Sequence, residues 1–195
     1  FPGIMMPLTV GRERSIAAVE AAMKTEDKTI LVVAQRDPTM EEPGLEELYT
    51  IGTKAVIKQV GRADDGTLHA VVQGLERVAL LKVEKTTPFL LVEARRLDPP
   101  TDQGAEVKAL HRAIQELVTD LPRLFQAPGI QEATTAFSNE DDPVALAYRL
   151  ASLLNLTVHE EQKLLEHSST IELLRSLYAS LSVSYTHLRA HETKA

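Results

Sequence analysis

Apolar and polar residues change rhythm near the middle of the chain. Over the first hundred residues, β-branched runs recur between turn signals: Thr29-Ile30-Leu31-Val32-Val33, Ala55-Val56-Ile57-Lys58-Gln59-Val60, Leu68-His69-Ala70-Val71-Val72, Val78-Ala79-Leu80-Leu81-Lys82-Val83 and Phe89-Leu90-Leu91-Val92-Glu93-Ala94. Such runs predict five strands. Only Gln73-Gly74-Leu75-Glu76-Arg77 separates the third from the fourth. With no proline there, Gly74 predicts a bend or bulge and not a long connection. Asp64-Asp65-Gly66-Thr67 predicts a tight hairpin, because Asp-Gly tolerates the positive φ such turns demand. One helix interrupts the strands: from Arg12 to Lys24, Ile16, Val19 and Met23 recur at helical spacing among small alanines, predicting an amphipathic helix that covers one end of the sheet. The stretch from Asp37 to Glu47 carries Pro38, Pro43, Gly44 and four glutamates and reads as a surface loop.

Asp98-Pro99-Pro100-Thr101-Asp102 ends the strand pattern, since two prolines cannot continue a ladder. Beyond it the period becomes helical. Val107, Leu110, Ile114, Leu117 and Leu121 form one stripe, and Pro122 is placed to kink or end that helix. Asp142 reads as an N-cap with Pro143 at the first helical position, where its missing N–H costs nothing. Thr157 with Glu160, and Ser169 with Glu172, have capping-box spacing and predict helix starts near 158 and 170. The fold class is therefore α+β: a β-rich subdomain with one helix over 1–99, then an all-α helical bundle over 100–182. No internal repeat or low-complexity tract is seen.

Composition narrows the function classes. The 195 residues are 44% apolar and 25% charged, the balance of an ordinary soluble globular protein. Lys plus Arg number 21 against 28 Asp plus Glu, a net charge of -7 that disfavours nucleic acid as a partner. The imbalance is sharpest over 101–182, with six basic residues against twelve acidic. Without cysteine, thiolate catalysis and Cys-ligated metals are excluded. No apolar run approaches the ~20 residues needed to span a bilayer, and the start lacks the basic segment of a signal peptide, so no membrane partner and a cytoplasmic location are expected. The chain starts with Phe1 inside an apolar segment, which reads as a fragment of something longer.

The search for chemistry yields no catalytic, cofactor or metal set. Neither a Walker loop nor G-x-G-x-x-G occurs. His187 and His191 are spaced i,i+4 but lack the H-E-x-x-H glutamate and an evident third ligand. His159 and His167 read as solvated surface. Serines fall at helix starts, where capping accounts for them, and Glu41-Glu42 and Glu46-Glu47 read as a solvated acidic rim and not as paired catalytic acids. The remaining candidates are apolar. Ile4, Met5, Met6 and Leu8 form a proline-bracketed stretch, readable as an opening strand buried against Ile57 or Val71, or as an exposed strip whose methionines suit varied peptides. Met5, Met6, Leu8 and Phe89 are the candidate substrate contacts.

Ordered blocks along the chain carry a family resemblance. Phe1-Pro2-Gly3, Met6-Pro7-Leu8, Val10-Gly11-Arg12-Glu13-Arg14-Ser15-Ile16, Val33-Ala34-Gln35, Leu48-Tyr49-Thr50-Ile51-Gly52-Thr53, Asp65-Gly66-Thr67 and Val72-Gln73-Gly74-Leu75-Glu76-Arg77 resemble the N-terminal domain of bacterial ATP-dependent Lon proteases. Asp141-Asp142-Pro143 with Leu146-Ala147, and Glu161-Gln162-Lys163-Leu164-Leu165-Glu166, extend the resemblance to about residue 182. It implies a PUA-like β subdomain and a helical bundle. It also implies a non-catalytic role: binding unfolded, damaged or degron-bearing proteins and supporting the hexamer of a serine protease whose separate ATPase module uses ATP and Mg. The alternative is a stand-alone PUA-like regulatory or RNA-binding protein. The resemblance further implies that a first strand before Phe1 is missing. Residues 183–195, from Val183-Ser184-Tyr185-Thr186 onward, do not continue the family's long charged helix and read as a non-native tail that packs on nothing.

Overall fold

A computed structural model describes residues 1–124, 137, 139–154 and 156–192, with residues 120–124 and 184–192 described by their backbone alone. The chain divides into two compact units, Phe1–Asp98 and Pro99–Ala195.

In the first unit, β1 (Met5–Val10), β2 (Thr29–Val32), β3 (Ile51–Arg62), β4 (Leu68–Lys85) and β5 (Leu91–Leu97) form one antiparallel sheet. Its order is β1-β4-β3-β2, with β5 also paired to β4. The two runs expected to be separate third and fourth strands are one 18-residue strand, β4. The irregularity predicted at Gly74 is present one residue on: the β3 register slips between Lys54↔Glu76 and Ala55↔Gly74, leaving Leu75 unpaired. A second slip at Leu81 and a third at Glu84 break the β4–β5 register. Each bulge bends the strand and turns an extra side chain outward, which is why Leu75 and Leu81 are about half exposed, at 46% and 50%. The bend lets β4 serve β1 with its first third and β5 with its second half.

The hairpin between β3 and β4 forms as its sequence requires. Gly66 takes φ 88°, and the Asp65 carboxylate accepts from the N–H and hydroxyl of Thr67 at 3.0 and 2.7 Å. Helix α1 (Glu13–Met23) lays Val19 and Ala22 into a core with Val10, Ala55, Ile57, Leu68, Ala70 and Val72. Met23, counted by its spacing on the apolar face, is exposed. Arg77 is buried on β4, and its guanidinium donates to the Asp98 carbonyl at 2.7 Å, giving a buried cation the acceptor it requires.

The second unit holds α2 (Ala105–Leu124), α3 (Pro143–Ala151), α4 (Val158–Glu166) and α5 (Thr170–Glu192). Packing centres on α5, which touches α2, α3 and α4. Its buried stripe is Thr170, Leu173, Leu174, Leu177 and Leu181, and α2, which touches it, buries Val107, Ile114 and Val118. Pro122 does not break α2 at its own position; helical backbone persists to Leu124. The α3 cap is as predicted, with the Asp142 carboxylate accepting from the Val144 N–H at 2.9 Å. Thr157 and Glu160 form a reciprocal capping box at α4. Helical backbone in α5 runs on to Glu192. Residues 183–192 contain no glycine or proline, and an established helix propagates through such residues at little cost. Val183 is exposed; the side chains of 184–192, including His187 and His191, lie outside the described residues.

The start of α5 holds a cap that no local spacing announces. Ser169 lies 3.5 Å from the Glu172 N–H, at the outer limit of a hydrogen bond, so the expected capping box is weak. The stronger cap is Asp102, whose carboxylate accepts from the N–H groups of Thr170 and Ile171 at 2.5 and 3.1 Å and from the Ser169 hydroxyl at 3.0 Å. These donors, the Thr170 N–H first among them, lower its pKa from 3.8 to about 2. A depressed carboxylate stabilises the fold above its unfolded pKa and loses that contribution as pH falls towards the folded value. Asp102→Ala is expected to cost about 1 kcal/mol near neutral pH, the usual worth of an N-cap. Urea unfolding at pH 7 and pH 3 checks this: the gap from the parent narrows at pH 3, and a constant gap would contradict a charge-dependent cap.

Candidate substrate groove

The largest concavity described in the first unit, about 810 Å³, lies between the start of α1, the segment 36–48 and the strands beneath. Leu31, Val33, Leu48, Leu80, Leu90 and Val92 give it an apolar lining, and Arg12, Glu13, Arg14, Glu41 and Glu42 add charged groups. The apolar lining residues are half-buried or buried, whereas Arg12, Glu13, Glu41 and Glu42 are exposed, so the groove has an apolar base and a charged rim. Apolar pockets with a few polar groups are the usual form of a binding site.

Specific contacts tie the walls to one another. Arg12 donates from one guanidinium nitrogen to the Gln35 side-chain oxygen at 2.7 Å and from another to the Pro38 carbonyl at 3.2 Å, joining α1 to the loop. Gln35 in turn donates to the Met40 carbonyl at 2.6 Å. Arg14 donates to the Thr86 carbonyl at 2.8 Å, joining α1 to the β4–β5 connection. The loop closes on itself through Arg36 N–H to the Glu47 carbonyl, at 2.7 Å, and Tyr49 N–H to the Ala34 carbonyl, at 3.0 Å. The Arg36 guanidinium also stacks 4.5 Å from the Tyr49 ring centroid, a cation–π contact. The segment predicted as a surface loop is thus exposed, yet tied into one wall of the groove.

The four sequence candidates do not form one strip. Strand alternation puts Met5 on the outer face, 60% exposed, while Met6 and Leu8 point the other way and pack against the sheet core. The buried-strand reading holds for Met6 and Leu8; the register pairs Met6 with Val72 and Pro7 with Val71. Phe89 is half-buried beside Leu90, whose side chain lines the groove. Sequence reading missed the groove because it is assembled by contacts 23 to 72 residues apart.

Elsewhere the chemistry is structural. His167 is not solvated surface: it ends α4 half-buried, with Nε2 2.8 Å from the Ser176 hydroxyl and Nδ1 3.7 Å from Glu172. Burial, more than its neighbours, pushes its pKa below the ordinary 6.5. The trio resembles a hydrolase triad in residue type only. Ser176 lies inside α5, where successive backbone N–H groups are engaged in the helix and none is free to hold an oxyanion. Among the described residues there is no cluster of three or more His, Asp or Glu able to hold a metal ion. Nor is any described helix long and apolar enough to cross a membrane.

Comparison with known proteins gives the groove its setting. Residues 1–182 match the family described as the ATP-dependent protease La (LON) substrate-binding domain, leaving 183–195 outside the matched span. Lon protease from Nitrosococcus oceani is 39% identical over 183 residues, covering 93% of this chain and 23% of that protein. Lon protease from Escherichia coli K12 is 35% identical over 182 residues, with the same coverage. The chain therefore spans about a quarter of the length of these relatives. Among solved structures, the N-terminal domain of Mycobacterium avium complex Lon protease superimposes with a TM-score of 0.76 at 27% identity, covering 93% of this chain and 91% of that one. A Lon N-terminal domain protein from Xanthomonas campestris, at 20% identity and a TM-score of 0.62 over 91% of this chain and 90% of its own, shares the fold. With nearly the whole chain inside the family match and both folds in agreement, this protein belongs to the Lon substrate-binding domain family.

Proposed function

We propose that this chain captures exposed apolar segments of unfolded, damaged or degron-bearing proteins on behalf of an ATP-dependent serine protease, and that it supports assembly of the protease hexamer. The observation that carries this reading is the match of residues 1–182 to a substrate-binding domain. The groove supplies a physical means: an apolar lining, between walls linked by Arg12 and Arg14, rewards burial of apolar surface at about 25 cal/mol per Å² without demanding one sequence. Loose sequence demands suit a domain that must accept many unfolded chains.

On this reading the sheet unit is PUA-like, the second unit a helical bundle, and the setting cytoplasmic. The domain itself requires no cofactor; ATP and Mg serve the ATPase module that the family carries elsewhere. Nucleic acid and membrane are not partners. Titration of the chain with a chemically unfolded protein and with its native form tests the proposal. Saturable binding to the unfolded form alone is expected; equal binding to both forms, or to neither, would overturn it.

A further inference from the structure

The rim charges of the groove differ in how they are engaged, and this bears on which segments it accepts. Both arginines act as struts, with Arg12 bound to Gln35 and Pro38 and Arg14, half-buried, bound to Thr86. Arg12 uses two guanidinium nitrogens in this way, so turning it towards a ligand would release the loop wall, while Arg14 is set back from the rim by its half-burial, with its Nε unpartnered. Glu41 and Glu42 are different. They sit exposed on the loop wall, and no hydrogen bond or ion pair to them is described. Their neighbour Glu47 is engaged, accepting from the Gly44 N–H at 2.8 Å. The exposed charges of the rim are three carboxylates, Glu13, Glu41 and Glu42, against the one guanidinium of Arg12, a net acidic edge over an apolar base.

Resting on the substrate-capture reading above, we infer that the groove selects unfolded segments in which Lys or Arg flanks the apolar residues. A basic side chain suits this arrangement because its methylene stem covers apolar surface while its charged head reaches outward. A segment with acidic flanks meets like charge at the same place and is disfavoured. Exposed ion pairs are individually weak and screened by salt, so the expected preference is about threefold per flanking charge at low ionic strength.

Three fluorescent peptides sharing one apolar core and flanked by Lys, Ser or Glu, titrated into the full chain by anisotropy, test this. Affinity should fall in the order Lys, Ser, Glu, with the spread collapsing in 0.5 M salt or in the Glu41→Gln/Glu42→Gln variant. Glu46→Gln, altering an acid that does not line the groove, should leave the order unchanged. Equal binding of all three peptides, or a Lys preference that survives Glu41→Gln/Glu42→Gln, would overturn the charge selection while leaving substrate capture standing. Failure of all three to bind would instead overturn substrate capture, and this inference with it.

Discussion

Leu174→Ala is expected to destabilise the helical unit by about 2–5 kcal/mol, the range for truncating a fully buried leucine that leaves a cavity. Leu174 has no exposed surface, and Leu173 and Leu177 beside it are equally buried on the helix that touches α2, α3 and α4. The helix α2, which touches α5, also buries Ile114 and Val118 completely, so the unit's interior is closely filled on both helices. A whole domain is stable by only about 5–15 kcal/mol, so the loss is a large fraction of the total. Tyr178→Ala supplies the contrast: its side chain is 37% exposed on the same helix, and truncation should cost much less. Hydrogen exchange reads the result by element. Protection should fall throughout α2, α3, α4 and α5 in Leu174→Ala, and a variant with unchanged protection there would contradict the central place of α5.

The second large effect is expected at Gly74. A Cβ at this position would stand 2.1 Å from the Phe1 carbonyl oxygen and 3.1 Å from Thr53. The approach is close because the N-terminal segment pairs there, with Gly3 N–H donating to the Gly74 carbonyl and Gly74 N–H to the Ile4 carbonyl, both at 2.9 Å. Gly74→Ala must push that backbone away and disturb both bonds, at a cost of about 1–3 kcal/mol. Gly61, where an added Cβ meets nothing within 4 Å, is the control, and Gly61→Ala should change stability little. Thermal unfolding of the two variants decides. Equal midpoints would show that the N-terminal segment is free to move aside.

Local chemistry was readable in the sequence, and chemistry assembled at a distance was not. Asp142 with Pro143, Thr157 with Glu160, and Asp65-Gly66-Thr67 each complete their contacts within four residues, so spacing alone located them. Gly74 announced an irregularity in β4, but one continuous strand was read as two because a bulge interrupts the alternation that identifies a strand. Asp102 could not be read as the α5 cap, since its partners lie 67 to 69 residues on. The candidate site suffered likewise. Met5, Met6 and Leu8 are neighbours in sequence, but the period of two sends Met5 to one face and the others to the opposite one. The groove depends on Arg12 reaching Gln35 and Arg14 reaching Thr86, contacts that only the folded sheet creates.

Docking of unfolded protein in this groove is open to methyl chemical-shift mapping of the full chain during titration with an unfolded protein. Shifts are expected to concentrate at Leu31, Val33, Leu48, Leu90 and Val92, with the buried Leu173 and Leu177 of the helical unit unmoved. Shifts confined to the exposed side chains of Met5 and Leu75, or no shifts at all, would contradict it.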